Sequence, residues 1–525
     1  MRSRVPKEAV IVGLVAATIY AAAGIYLTLH LLVVPYDSAF RLLHADFVWH
    51  NDPAKLAAIG FVWPPVMTLS LLPWALPTPL VTSLAAIPLS SAVVAGLLLA
   101  QLSHIFKHFG VPRAGRLALV AAFGLNPLFF HYATNGMSEG LVLLLLTASL
   151  AQWLRWHETR YTHHLAFCGT AMALAVLTRY DVAPCAVLLF AATAADLYAE
   201  RASAARAEGA LLLYAAPMAY GVGLWAMFNA LIVGDPLYFI RHEVHERFVV
   251  ETGRSAAQGG AGGATTSVTG LAHSLLTLNW ELFAPTLVAF AALTLFAARR
   301  RNGVAALLAV ALLVNPVTTA LTVATSDLSL LQLRFNMRSM PFAMVGIGWL
   351  VAAVPRRRRS AAAMLAALGV LAAVPLTWHA MATWPYTFAE RDFVRAVQTG
   401  HVQDTIGVRR NRPLARWIQA NVHDSRSILV DDAQTFGAIL LTGDPRVFFD
   451  RADLGDDRWT EAARDPAAHG VRYLLVPAKQ GVIHDKLLSI YPTAASGGVS
   501  FLRPVLRNAG SVLLRVVPAA ELAPH

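Results

Sequence analysis

The sequence predicts a polytopic α-helical membrane protein of about eleven transmembrane helices, with a small α/β domain at its C-terminal end. Three observations carry that prediction. The 525 residues are 57% hydrophobic and only 14% charged, with mean hydropathy +0.54, too apolar for an ordinary soluble chain. The apolar runs are separated by short basic blocks, and from about residue 385 the composition turns soluble.

The formal charge of +11 would suggest a nucleic-acid partner in a soluble protein, but the basic residues fall between apolar runs and read as topology signals. No nucleic acid is expected; membrane lipids are. Basic character is almost all arginine, with lysine only at Lys7, Lys55, Lys107, Lys479 and Lys486. Cys168 and Cys185 lie in apolar runs without metal-ligand spacing and read as small packing residues.

The segment MRSRVPK precedes the first apolar run, residues 8–34, and places the N-terminus in the cytoplasm. The first run is too long for a cleaved signal, so it reads as an anchor. Residues 36–80 are then an extracytoplasmic loop. Its apolar piece, 61–77, holds Pro64, Pro65, Pro73 and Pro77 and reads as an interfacial or re-entrant helix, because a crossing there would turn every later basic loop outward. Further spans are expected at 81–103, 117–131, 138–154, 164–178, 182–198, 210–232, 280–298, 304–323, 340–355 and 360–378. A long outer loop, about 233–279, has a second half rich in Gly, Ala, Ser and Thr that reads as a flexible segment or a lid.

The domain division is thus 1–384 for the membrane part and 385–525 for an extracytoplasmic α/β domain. In the latter, SILVDD, RVFFDR, VRYLLVPA and SVLLRVV alternate with helix-like stretches, without a GxGxxG or phosphate-binding loop.

Candidate chemistry gathers at the outer face. Asp37 follows the first span, and Asp46 and Asp52 share its loop. A partly desolvated carboxylate there can act as general base toward a hydroxyl, although each also reads as a solvated loop acid. Glu139 opens the fourth span on the same side, with Ser138 as a candidate cap; a helix-start acid complementing the dipole is the competing reading. Arg179, Arg241, Arg247, Arg334 and Arg338, with His242 and His245, lie outside against the positive-inside bias. Guanidinium forks suit the phosphate of a lipid headgroup, in a dedicated site or in ordinary phospholipid contact. The HEVH run lacks the HExxH pattern, so no zinc site is expected. Phe47, Trp49, Phe61, Trp63 and Trp74 fit either a sugar site or an interfacial aromatic belt.

Taken together, YDSAF after the first span, FVWPPVMTLSLLPWALP, HYATNGMSEGL, LTRYD, GDPLYF and LQLRFNMRSMPF, ordered over most of residues 8–380, resemble the GT-C superfamily of membrane glycosyltransferases that use polyprenyl-phosphate sugars. The likeness is to the protein O-mannosyltransferase and aminoarabinose-transferase branch. It implies Asp37 as the catalytic aspartate, Glu139 as the second acidic position and Arg334 near the donor phosphate, aided by Arg338, Arg241 and His242. Asp46, Trp63 and Tyr180 are the implied sugar or acceptor contacts.

Two departures stand out: Ser38 follows the aspartate where many members have an acid, and Phe335 follows Arg334 where tyrosine is common. A lone Glu139, in place of an acid pair, does not call for a divalent cation, and no metal or other cofactor is assigned.

The implied reaction is transfer of mannose or a pentose, with inversion, from a polyprenyl-phosphate donor to a hydroxyl of a glycan, lipid or protein at the outer face of the cell membrane. Two rival readings are a transporter or lipid flippase, disfavoured by helix interiors nearly free of charge, and a non-catalytic membrane protein displaying a glycan- or partner-binding outer domain.

Overall fold

The computed structural model describes residues 6–61, 63–241, 268–324, 331–385, 387, 389–451, 457–481, 484–518 and 521. The described parts fall into two compact units, and the division does not follow the chain. One comprises Met1–Gly24, Ser91–Trp225 and Gly260–His401; the other comprises Ile25–Ser90, Ala226–Gly259 and Val402–His525.

Helix α1 (Lys7–Leu29) occupies the first apolar run. The expected loop at 36–80 is instead mostly helical, with α2 (Tyr36–His50), α3 (Pro65–Ala75) and α4 (Thr78–Thr82). Helix α2 forms because Ala39, Leu42, Leu43 and Phe47 recur at helical spacing and are fully buried. At 11 residues α3 rises about 16 Å, too little to cross a core of about 30 Å. Pro64 and Pro65 start α3, whereas Pro73 lies inside it without ending it.

The later apolar runs are all helical: α5 (Ala86–His108), α6 (Arg113–Gly124), α7 (Pro127–Tyr132), α8 (Ser138–Thr159), α9 (Thr162–Val176), α10 (Ala183–Ala199) and α11 (Ala204–Val233). The expected span at 117–131 is broken, because Asn126 caps α7 with its side-chain oxygen on the amides of Leu128 and Phe129 and Pro127 follows it. Next come α12 (Val268–Phe283), α13 (Pro285–Arg300), α14 (Gly303–Ala324), α15 (Leu333–Asn336), α16 (Ser339–Ala353), α17 (Arg359–Ala372) and α18 (Val374–Thr383).

Among the described residues, six helical stretches are long and apolar enough to cross a membrane. They are Lys7–Leu29, Ala86–His108, Tyr180–Ala199, Ala204–Val233, Gly303–Leu321 and Arg356–Thr383. The pair Thr269–Phe283 and Pro285–Arg300, bent by 107°, makes a seventh if counted as one span. The chain is a multi-pass membrane protein. Helix approach is close where glycine permits it: a Cβ on Gly169 would sit 2.2 Å from the carbonyl oxygen of Tyr214, and one on Gly96 would sit 2.5 Å from that of Gly13.

After α19 (Ala389–Thr399) and α20 (Val408–Asn421) the chain enters a sheet built of β1 (Ile428–Val430), β2 (Phe448–Phe449), β3 (Tyr473–Pro477), β4 (Leu502–Arg507) and β5 (Ser511–Val516). Its order is β2-β1-β3-β5-β4. The β1 strand is parallel to both β2 and β3, while β5 is antiparallel to β3 and β4. Helix α21 (Asp432–Thr442) connects β1 to β2. Helices α22 (Asp457–Arg464) and α23 (Lys486–Ile490) flank β3 in the chain. Leu474, Val476, Val512 and Leu514 form the sheet's buried core with Trp459 and Leu487. The edge strand β4 carries Pro504 at an irregularity of register, where a missing N–H costs no ladder bond.

Candidate active site

A cluster of charge in the first unit is built where α8 begins, where α9 passes into α10, and where α15 meets α16. After α9 the backbone turns extended at Arg179 and makes a single 3₁₀ turn, Tyr180–Val182, before α10. That turn folds Arg179 back on Asp181: Nε donates to Oδ1 at 3.1 Å and Nη2 to Oδ2 at 2.9 Å. The same guanidinium reaches across to α8, with Nη1 donating to Glu139 Oε1 at 2.7 Å. Glu139 is 2% exposed, and its Oε2 has no hydrogen-bond partner among the described residues.

Arg338 completes the cluster. Its Nη1 lies 3.3 Å from Asp181 Oδ2 and donates to the Asp181 carbonyl at 2.6 Å, while Nε donates to the Phe335 carbonyl at 2.7 Å. The Phe335 ring lies under two further cations: the guanidinium carbons of Arg179 and Arg334 stand 4.6 Å and 4.7 Å from its centroid. Arg179 and Arg338 thus hold the two acids, Glu139 and Asp181, while Arg334 stands over the same ring as Arg179. Glu390, from α19, is the third acid nearby. It accepts from the Tyr132 hydroxyl at 2.7 Å, and burial pushes its carboxyl above the ordinary range.

Of the residues singled out in sequence, Glu139, Arg334, Arg338 and Tyr180 therefore belong to this unit, the first three in one cluster. Tyr180 accepts a hydrogen bond from Trp225 Nε1 at 2.8 Å beside it. Asp181 and the pair Tyr132–Glu390 were not anticipated. LTRYD held the signal for Asp181, since an arginine and an acid two residues apart can fold onto each other in a turn. For Glu390 nothing local in AERDF marks burial.

Asp37, Asp46, Trp63 and Arg241 belong to the second unit. Asp37 is half-buried in the first turn of α2, where a carboxylate complements the helix dipole. Asp46 is 1% exposed and its Oδ1 lies 2.8 Å from His50 Nδ1; burial pushes its carboxyl up to about 6. Asp52 accepts from the Ser425 hydroxyl, and its carbonyl accepts from Arg426. Trp63 lies under the Arg41 guanidinium at 4.6 Å, and Phe40 meets it edge-on at 5.5 Å. Arg241 is exposed and pairs with Asp235 at 2.7 Å. His242, His245, Arg247 and most of the Gly-rich run lie outside the described residues.

His44 links α2 to α21. Its Nδ1 is 2.7 Å from the Ala58 carbonyl, which can only accept, so Nδ1 carries the proton and Nε2 faces Asp432 Oδ2 at 3.9 Å. Burial lowers His44 to about 4 and raises Asp432 well above its usual range. Among the described residues no three His, Cys, Asp or Glu side chains converge as a metal site.

No family model matches the chain. No curated protein matches it either. Solved structures do. ArnT from Cupriavidus metallidurans bound to undecaprenyl phosphate superposes with a TM-score of 0.53 at 15% identity, over 98% of this chain and 99% of that one. The same protein in the apo state gives 0.52 at 15% identity, over the same shares. An oligosaccharyltransferase of Archaeoglobus fulgidus in the apo form gives 0.48 at 10% identity, over 89% of this chain and 69% of that one. The near-complete overlap with ArnT, helices and terminal sheet together, shows that the chain has a GT-C-like fold.

Proposed function

We propose that the chain is an integral-membrane glycosyltransferase that moves a sugar, mannose or a pentose, from a polyprenyl-phosphate donor to an acceptor hydroxyl with inversion. The observation that carries this reading is the cluster in which Arg179 and Arg338 hold Glu139 and Asp181 and Arg334 stands over the same Phe335 ring as Arg179. Guanidinium forks gathered in this way suit the oxygens of a phosphodiester. The fold shared with an ArnT that was solved with undecaprenyl phosphate supports the same ligand class.

In this mechanism Asp37 takes the proton of the acceptor hydroxyl as its oxygen attacks the anomeric carbon. The bond from that carbon to the phosphate oxygen breaks, and polyprenyl phosphate leaves with the electron pair, stabilised by Arg334 and Arg338. One displacement needs no covalent intermediate, unlike a retaining glycosidase. Glu139 Oε2, buried and open, accepts a hydroxyl of the transferred sugar. Trp63 and Tyr180 contact sugar or acceptor, and Arg241 and His242 lie along the approach of the anionic lipid. The acceptor is a glycan, lipid or protein at the outer face of the cell membrane. The N-terminus is cytoplasmic, and residues 385–525 form an extracytoplasmic domain.

The test is to incubate the purified full chain with a panel of polyprenyl-phosphate sugars. Consumption of one, with release of polyprenyl phosphate, is expected; a panel left intact in the presence of cell-envelope acceptors would overturn the reading.

A further inference from the structure

Phe335 touches all three arginines of the buried cluster. Its ring lies 4.6 Å from the Arg179 guanidinium and 4.7 Å from that of Arg334, and its carbonyl accepts from Arg338 Nε at 2.7 Å. The residue sits in the one-turn helix α15, which is pinned on both sides. Before it, the Leu331 carbonyl accepts from Trp384 Nε1 at 2.8 Å. Within it, Asn336 Oδ1 accepts from Asn315 Nδ2 at 2.9 Å and Thr319 Oγ1 at 3.2 Å, while Asn336 Nδ2 donates back to the Gln332 carbonyl at 3.0 Å. The ring is thus a fixed object, 6% exposed, and the guanidiniums are placed by it.

We infer that Phe335 is a positioning residue whose ring holds Arg179 and Arg334 at a set separation, so that both guanidiniums are pre-ordered for one anionic ligand. The inference rests on the proposed function for the identity of that ligand as a lipid phosphate. Two like charges on long side chains repel, and ordering an arginine costs rotamer entropy. A ring face attracts a guanidinium, more strongly when water is excluded, which offsets that cost before ligand arrives. Arg179 is held by Glu139 and Asp181 as well as by the ring.

A merely structural phenyl ring and a cation platform differ in one respect: only the second depends on the electron density of the ring face. The experiment replaces Phe335 in the full-length protein by mono-, di- and trifluorophenylalanine, which preserve shape closely while weakening the face, and by leucine. Binding of undecaprenyl phosphate is measured for each, with thermal unfolding as the control for fold.

The expected result is a stepwise rise in Kd with each fluorine, reaching about tenfold for Phe335→Leu, at unchanged melting temperature in the fluorinated series. In turnover assays the rise falls on the donor KM, with kcat nearly constant. Wild-type binding with an unchanged Kd across the fluorinated series would overturn the positioning role and leave the proposed function standing. Failure of wild type itself to bind undecaprenyl phosphate would overturn both.

Discussion

The two units bury acids in different company, and the contrast teaches what each arrangement is suited to. In the first unit, Glu139 and Asp181 are held by arginine forks at 2.7–3.3 Å. A guanidinium cannot give up its proton, so each of these acids faces a permanent cation. In the second unit, Asp432 and Asp46 are set against His44 and His50. Histidine can lose its proton, and around Asp432 burial drives both partners toward neutrality, His44 down to about 4 and Asp432 well up. The first arrangement suits binding and stabilising an anion; the second holds α2 and α21 together without charge.

The strongest way to break this contrast is to remove the shared cation. Arg179→Leu leaves Glu139 and Asp181 buried with one counter-charge between them, and should cost about 3–5 kcal/mol of stability, read as a fall in melting temperature in detergent. An unchanged melting temperature would contradict a stabilising role for these ion pairs.

A comparable effect is expected in the second unit, with a pH signature. Asp485 is fully buried, its Oδ1 accepts from the Leu488 amide at 2.8 Å, and burial raises its carboxyl to about 7. An acid whose folded value exceeds its unfolded value of about 4 is bound to its proton more tightly in the folded state. Stability is therefore lost as pH rises from about 4 to about 7 and is constant above. Asp485→Asn, which retains a capping oxygen, should abolish that loss and gain on the order of 4 kcal/mol over wild type by pH 7. Equal pH profiles for the two proteins, from unfolding at each pH, would show that Asp485 titrates normally.

The smallest effect concerns the acid at the edge of the arginine cluster. Tyr132→Phe removes the donor to Glu390 and leaves a buried carboxyl oxygen short of one hydrogen bond, costing about 1–3 kcal/mol. The double variant with Glu390→Leu should recover most of the loss, because both polar partners are then gone. Additive losses would deny the coupling.

The apolar runs made the membrane part of the fold legible, since each stretch read as a span is largely helical; of the eleven expected, six, or seven with the bent pair, are long and apolar enough to cross a membrane among the described residues. What misled was local polarity. Tyr36–His50 carries Asp37, Arg41, His44, Asp46 and His50, which suits a loop, yet its apolar positions recur at helical spacing, and His44 Nδ1 and Asp46 Oδ1 find partners within the second unit. The span expected at 117–131 concealed its break, although Asn126–Pro127 is a recognisable cap and start.

In the candidate site, the sequence singled out Glu139 and Arg334, and the first unit places both near the Arg179 guanidinium and the Phe335 ring. Sequence could not give the partners. Arg179 binds acids forty residues before it and two after, and Phe335 departs from the tyrosine expected at its place while serving two arginines with its ring. Such contacts depend on how helices pack, which a single chain of letters does not contain.

Sugar transfer from a lipid phosphate with Asp37 as base, as proposed, is tested by the rate at which wild type and Asp37→Asn release polyprenyl phosphate from the donor that the panel identifies, with acceptor present. Release by wild type is expected, with a rate lower by roughly 10² to 10⁴ fold in the variant, at similar donor affinity. Equal rates in the two proteins would contradict it.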